Sequence, residues 1–475
     1  MNGPIRKVTV FVSMLMAMLL LNVTWITVVR SDTLNEDTRN RRVRDAEFSR
    51  NRGAILVGNQ PIAQSVPRTG RFPYIRSYPQ PELWSSVTGW YSYDYARSGL
   101  EHSYNQQLAG TSSEQSVGRF VDVLTGRRST GANVSTTLHP GAQAAAVRAL
   151  GNQRGAVVAM NYETGEILAL VSTPTYDPNR LATVDLTAER EAWIELLEGR
   201  DEPLKNRAVR EIYPPGSTFK LITAAAALED GMVPDTELDS PASLPLPNSN
   251  RSMGNSTNCG GTRVTLEQAL KTSCNTAFGN LGLQLGADKL REQAEKFGFN
   301  QEQTIDISAA TSGFPTELDE AQTALSAIGQ YDVTASPLQI VQVAAAIAND
   351  GVMMRPYLVS SVTNTDLTVL TSQAPERLSA PISPSSAQLL QQMMVATVED
   401  GTGRPAQTDG VVVGGKTGTA QTAPDRPPYA WFVGYAEDPK VAIVAFVENA
   451  DVERDDISGG RLAAPIFKAV LEALR

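Results

Sequence analysis

Histidine is nearly absent from this chain: 475 residues carry two, His102 and His139. A histidine-based nucleophile triad or metal site needs a neutral imidazole as base or ligand, so any acid–base work falls to lysine or to carboxylates. Cysteine is as scarce. Cys259 and Cys274 are too few for a four-thiolate zinc site by themselves. There are only nine lysines, which gives weight to any lysine in a patterned position. Positive charge is in deficit, with 41 Lys plus Arg against 51 Asp plus Glu and a net charge of −10. Such a chain is repelled by a phosphate backbone, and nucleic acid is excluded as an expected partner. What remains is ordinary: 41% apolar and 19% charged residues with 36 Gly and 28 Pro describe a globular protein with long loops, large enough for two or three domains.

One long hydrophobic run stands out. Residues 8–29 are uncharged and as a helix would extend about 33 Å, the thickness of a bilayer core. Arg6 and Lys7 precede it, so the positive-inside rule puts the tail 1–7 in the cytoplasm and everything beyond Arg30 outside. Arg39, Arg41, Arg42 and Arg44 pull the other way. The early position of the run and the lack of a small-x-small cleavage site favour an uncleaved signal anchor over a cleaved signal peptide. The arginine cluster reads as a solvated linker, with contact to anionic headgroups as the alternative. The expected location is the cell membrane, single-pass, with the bulk of the chain on the outer side. In that compartment Cys259 and Cys274 are expected to form a disulfide across the segment between them, a buried thiol pair being the alternative.

Beyond the anchor, residues 30–135 read as a small, irregular, β-rich domain that ends in a Ser/Thr/Gly-rich stretch, 111–137. A second domain occupies 136–475. It opens with a helix over 142–150, followed by apolar runs 155–160 and 166–172 on either side of Asn161–Gly165, a hairpin signal. Residues 217–229 predict a buried Ala-rich helix. Residues 233–261 show no period and predict a long loop. Thr265 and Gln268 have capping-box spacing, and helices dominate from there to 349. Strands return at 411–419, 429–435 and 441–447, before a closing helix over 463–474. Strands at both ends of this domain with helices between predict one sheet completed by the C-terminal part, an α+β fold.

Residues 410–417, Gly-Val-Val-Val-Gly-Gly-Lys-Thr, satisfy a Walker A pattern. A phosphate cradle needs a flexible loop followed by a helix that starts at the lysine. Here the loop position is a β-branched run, and Gly418 and Pro424 break any helix, so the segment reads as a strand.

Of the nine lysines, Lys220 alone has a serine three residues before it. Tyr213–Gly216 stops any preceding helix, so Ser217 sits at a helix start with its N–H free, and Lys220 shares its face. A serine hydroxyl must give up its proton to attack, and a neutral lysine is the available base. Its pKa must then fall by roughly three units, which burial and a second cation such as Lys416 supply together. A capping serine beside a solvated lysine is the bland alternative. Ser-x-Asn is weaker because it recurs at Ser49, Ser103, Ser256 and Ser273. Ser273-Cys274-Asn275 is the best placed, between two helices, where a hydroxyl and an amide would relay a proton and hold a peptide backbone. A helix-cap serine with a turn asparagine is again the plain reading. Lys416, Thr417, Gly418 and Thr419 close an apolar strand and suit a substrate carboxylate and an added β-strand.

Ser-x-x-Lys, Ser-x-Asn and Lys-Thr-Gly in that order are the motif set of penicillin-binding proteins and serine β-lactamases, and the chain resembles the class B penicillin-binding proteins, of the penicillin-binding protein A type. Segments at 52–56, 99–101, 108–110, 164–169, 206–208, 329–330, 336–338, 401–403 and 430–434 look like family segments too. Where many members carry an acidic residue soon after Arg-Gly-x-Ile, this chain has Val57. The resemblance implies a transpeptidase domain with a sheet flanked by helices, behind a small β-rich domain and a transmembrane helix. No glycosyltransferase domain is expected before 136, and no appended C-terminal module.

The activity it implies is a peptidoglycan D,D-transpeptidase that acts on D-Ala-D-Ala stem peptides and is acylated by β-lactam antibiotics. Ser217 would be the nucleophile, Lys220 its base, and Ser273 and Asn275 the relay and clamp. Lys416, Thr417 and Thr419 would form the carboxylate site, with Gly418 beside them in the substrate-binding strand and an oxyanion hole from the N–H groups of Ser217 and Thr419, and the implied reaction requires no metal or organic cofactor. A membrane glycan polymerase of the shape, elongation or division type is the implied partner. A membrane-anchored penicillin sensor or β-lactamase-like hydrolase would share these residues. The stretch 307–315 has no carboxylate to activate water. A non-catalytic scaffold for wall synthesis would not need all three motifs.

Overall fold

The computed structural model describes residues 2–35, 41–116, 125, 130–303, 305–423 and 426–475. Helix Asn2–Val28 is apolar and exposed along its length, and is long enough to cross a membrane. Arg39 lies outside the described residues, as do 117–124 and 126–129 of the Ser/Thr/Gly-rich stretch.

Two sheets organise the rest. The first contains β1 (Ile55–Val57), β2 (Gln60–Pro67), β3 (Tyr74–Ser77) and β4 (Asn133–Thr136), extended by β12 (Val359–Thr363) and β13 (Val369–Ser372) in the order β13-β12-β4-β1-β2-β3. Its β12–β4 pairing joins strands more than 200 residues apart in sequence. Val57 packs in its core. Beneath it Glu101 is fully buried and takes Arg76 Nε at 2.5 Å and Arg52 Nη2 at 2.8 Å. Burial alone would raise this carboxyl's pKa, but Arg76 and Arg52 outweigh it and hold the group below its ordinary range. This part of the chain therefore folds around a charge cluster, which explains why periodicity described it poorly.

The second sheet is antiparallel: β15 (Val413–Ala420), β16 (Tyr429–Ala436), β17 (Val441–Asn449), β5 (Arg154–Asn161) and β6 (Ile167–Thr173), in the order β15-β16-β17-β5-β6. Ala442, Val444 and Phe446 of β17 enter the large core on one face, while Val441, Ile443, Ala445 and Val447 enter the core under helices Pro140–Leu150 and Ala464–Glu472 on the other. Burial on both faces is why these strands read as continuous apolar runs. His139 caps helix Pro140–Leu150, its Nδ1 accepting from Ala142 N.

The long loop expected over 233–261 is not one. It contains β7 (Glu237–Asp239), β8 (Ser243–Pro245) and β9 (Ser252–Gly254); β8 pairs with β9, and β7 with β10 (Arg263–Thr265). Each strand has three residues, with the central one buried (Leu238, Leu244, Met253, Val264), too short for a period to show. The last small pair joins β11 (Met353–Met354) to β14 (Arg377–Ser379). Cys259 and Cys274 form a disulfide with Cα atoms 5.4 Å apart, pinning the end of this segment to the turn before helix Asn275–Leu285.

Candidate active site

The helix expected over 217–229 opens as a 3₁₀ turn, Gly216–Thr218, and becomes α-helix only over Lys220–Glu229. Pro214 and Pro215 stop the chain from entering as α-helix, and Gly216 takes a left-handed φ of 52°. Ser217 is therefore presented at the tip of the turn. Its N–H donates no hydrogen bond among the described residues, and its side chain lines a cleft of about 830 Å³.

Lys220, one turn on, is fully buried. Its Nζ donates to Ser273 O and to Asn275 Oδ1, both at 2.8 Å, with Ser273 Oγ at 3.4 Å. The amide of Asn275 is oriented by its own Nδ2, which donates to Gly254 O at 3.1 Å. Ser273 adopts a left-handed φ of 59°, which bends the chain so that its carbonyl faces Lys220. No carboxylate lies within ion-pair distance of Lys220 or Lys416 among the described residues. Burial, and after it Lys416, pull the Lys220 pKa well below the ordinary lysine value. Two acceptors match the two N–H donors of a neutral amine, which leaves its lone pair for the Ser273 hydroxyl or a proton from the cleft.

β15 is the edge strand that forms the opposite wall. Lys416 is fully buried and bonds Thr417 O at 2.9 Å; burial lowers its pKa to about 7. Thr417 Oγ1 shares a hydrogen bond of 2.7 Å with Thr402 Oγ1, and Thr417 and Thr419 both line the cleft. The room left by Gly418 is taken by the protein itself: a Cβ there would stand 2.9 Å from Thr218 Cγ2 and 3.1 Å from Pro215 O. Gly418 thus brings the Ser217 turn against β15. Residues 410–417 form no phosphate loop, since Val413–Ala420 is a ladder strand paired along its whole length with β16.

The structure thus gathers Ser217, Lys220, Ser273, Asn275, Lys416, Thr417 and Thr419 into one site. It also adds residues the motifs did not flag. Ser256 and Thr257, on the β9 side, line the same cleft, with Thr257 Oγ1 bonding Thr272 O at 2.6 Å; the repeated Ser-x-Asn at Ser256 was the available signal. Tyr331 lines it from a left-handed turn. Arg454, Asp455 and Arg461 come from a polar segment between β17 and the last helix that carries no pattern.

Residues 155–472 match the penicillin binding protein transpeptidase domain, and residues 52–134 match the penicillin binding protein A dimerisation domain. The chain belongs to the penicillin-binding protein transpeptidase family. Within that family it is 44% identical, over all of this chain and 99% of the relative, to the peptidoglycan D,D-transpeptidase PbpA of Mycolicibacterium smegmatis, and 41% identical over the same shares to PbpA of Mycobacterium tuberculosis. Among solved structures, penicillin-binding protein A of M. tuberculosis in its penicillin G acyl-enzyme complex superposes with a TM-score of 0.85 at 40% identity, over 90% of this chain and 99% of that one. Penicillin-binding proteins share the three motifs that meet in this cleft.

Proposed function

We propose that this chain cross-links peptidoglycan as a D,D-transpeptidase through an acyl-enzyme on Ser217. Neutral Lys220 takes the Ser217 proton as Oγ attacks the D-Ala-D-Ala carbonyl. The N–H groups of Ser217 and Thr419 hold the developing oxyanion. Ser273, bridged to Lys220, passes a proton to the departing D-Ala amine while Asn275 holds the stem-peptide backbone. Lys416, Thr417 and Thr419 receive the terminal carboxylate, and the substrate lies as an added strand against β15. An amine from a neighbouring strand then resolves the ester. No step calls on a metal or organic cofactor.

The observation that carries this reading is the buried Lys220, held by two acceptors, facing no carboxylate and with its pKa pulled down. A β-lactam presents a strained amide and a carboxylate in the same places, so it acylates Ser217. We infer that the apolar helix anchors the chain in the cell membrane with this site on the outer face, opposite Arg6 and Lys7, and that a membrane glycan polymerase supplies the strands to be joined. The test is turnover of a D-Ala-D-Ala-like thioester with an added D-amino acid acceptor. Acyl transfer to the acceptor is expected; hydrolysis alone at every acceptor concentration would overturn the transferase reading.

A further inference from the structure

A second cavity, of about 390 Å³, shares no lining residue with the cleft. One wall comes from the segment 85–103, and the other from the end of β6 and residues 203–210. Its lining has a consistent chemistry. Four basic side chains, Arg97, His102, Lys205 and Arg210, line it with no carboxylate among them, in a chain whose net charge is −10. Two are already engaged: Arg97 with Glu47 at 2.8 Å and Lys205 with Glu202 at 2.9 Å. The Arg210 guanidinium has no ion pair or hydrogen bond among the described residues, and neither has the His102 ring. The cavity also presents aromatic surface. Trp90 is half-buried, steadied edge-on by Tyr176 at 6.2 Å and Trp193 at 5.6 Å, with its Nε1 tied to Tyr95 O. The hydroxyls of Ser103 and Ser308 line it with no hydrogen bond among the described residues.

A free guanidinium, an aromatic ring held in place and unpaired hydroxyls are what a ligand with an anionic group, a ring face of C–H bonds and several hydroxyls would engage. We propose that this cavity is a non-catalytic binding site for a carboxylate-bearing saccharide, with Arg210 pairing the carboxylate, Trp90 stacking on the sugar ring and Ser103 and Ser308 bonding its hydroxyls. Carboxylate and ring must be recognised together, because a ring without charge leaves Arg210 unpaired and an anion without a ring leaves Trp90 bare. The site does not depend on the transpeptidase reading, since none of these residues belongs to the Ser217 cleft. Residues 203–210 do run directly into the Ser217 turn, so occupancy of one site is next in the chain to the other.

The experiment is equilibrium dialysis of the full chain in detergent micelles against labelled N-acetylmuramic acid, an amino sugar with a free carboxylate. Saturable binding is expected, weakened at least tenfold in Arg210→Ala and again in Trp90→Leu, and unchanged in Ser217→Ala. Arg210 is exposed and its side chain has no hydrogen bond or ion pair among the described residues, so that variant reports on the site itself. N-acetylglucosamine, which lacks the carboxylate, and lactate, which lacks the ring, should each bind at least tenfold more weakly. No saturable binding, or binding unaffected by Arg210→Ala, would overturn the proposal. So would N-acetylglucosamine or lactate binding as well as the acid sugar. Penicillin acylation of Ser217 measured on the same samples keeps failure of this site distinct from failure of the transpeptidase reading.

Discussion

Replacing Lys220 by arginine puts a permanent cation where a neutral lysine is needed and removes any chance of a neutral amine, because guanidinium stays protonated at every working pH. In the structure that position is fully buried, meets the carbonyl of Ser273, the amide oxygen of Asn275 and the Ser273 hydroxyl, and has no carboxylate within ion-pair distance among the described residues. General-base assistance is worth roughly 10²- to 10⁴-fold, about 2.7 to 5.5 kcal/mol of barrier, and Lys220→Arg should lose all of it. A permanent buried charge without a counterion also costs several kcal/mol of stability, so the variant's melting temperature should fall. Lys220→Met, close in length and uncharged, removes the base without that penalty and keeps the comparison clean. The assay is the second-order rate of acylation by a chromogenic β-lactam, with the fold checked by circular dichroism. If either variant acylates within about tenfold of the parent, Lys220 is not the base and the reasoning fails.

In the proposed roles, the two lysines should also set the pH profile. In the free enzyme Lys220 must be neutral, so kcat/KM rises as pH climbs through its lowered pKa. Lys416 must be charged, and with its pKa at about 7 kcat/KM falls again above that value. A bound carboxylate keeps Lys416 protonated, so kcat should lack most of the alkaline fall, and Lys416→Arg should remove it from kcat/KM. An alkaline limb that persists in Lys416→Arg would assign it elsewhere. Thiol titration of the unreduced, denatured protein should find no free cysteine. Cys259→Ala with Cys274→Ala should cost about 3 kcal/mol by loop-closure entropy and slow acylation, because Cys274 stands between Ser273 and Asn275; unchanged stability and rate would refute that role.

The reach of the sequence differed between the two sheets for a physical reason. β5, β6, β16 and β17 are buried on both faces and announce themselves as apolar runs. The motif residues were legible because each sits where chain geometry is locally dictated: Ser217 after two prolines, Ser273 between two helices, Lys416 on a strand. The pairing of β4 with β12 joins strands distant in sequence, and the Arg52–Glu101–Arg76 cluster is a buried polar arrangement; neither leaves a periodic trace. The same holds for the small strands β7 to β10, whose stability comes from single buried residues and a disulfide. The cleft wall built from Arg454 and Arg461 lies in a turn whose charges resemble any solvated surface.

Intact-mass spectrometry of the full chain after exposure to penicillin tests the account most directly. A covalent adduct of one drug mass is expected, mapping to Ser217 on digestion, absent in Ser217→Ala, and persisting far longer than a catalytic cycle, since the carboxylate among the cleft-lining residues, Asp455, belongs to an exposed turn and hydrogen-bonds none of Ser217, Lys220, Ser273 or Asn275. An adduct that survives Ser217→Ala, or no adduct at all, would contradict the assignment of Ser217 as the nucleophile, and rapid return of the free mass would point to a hydrolase.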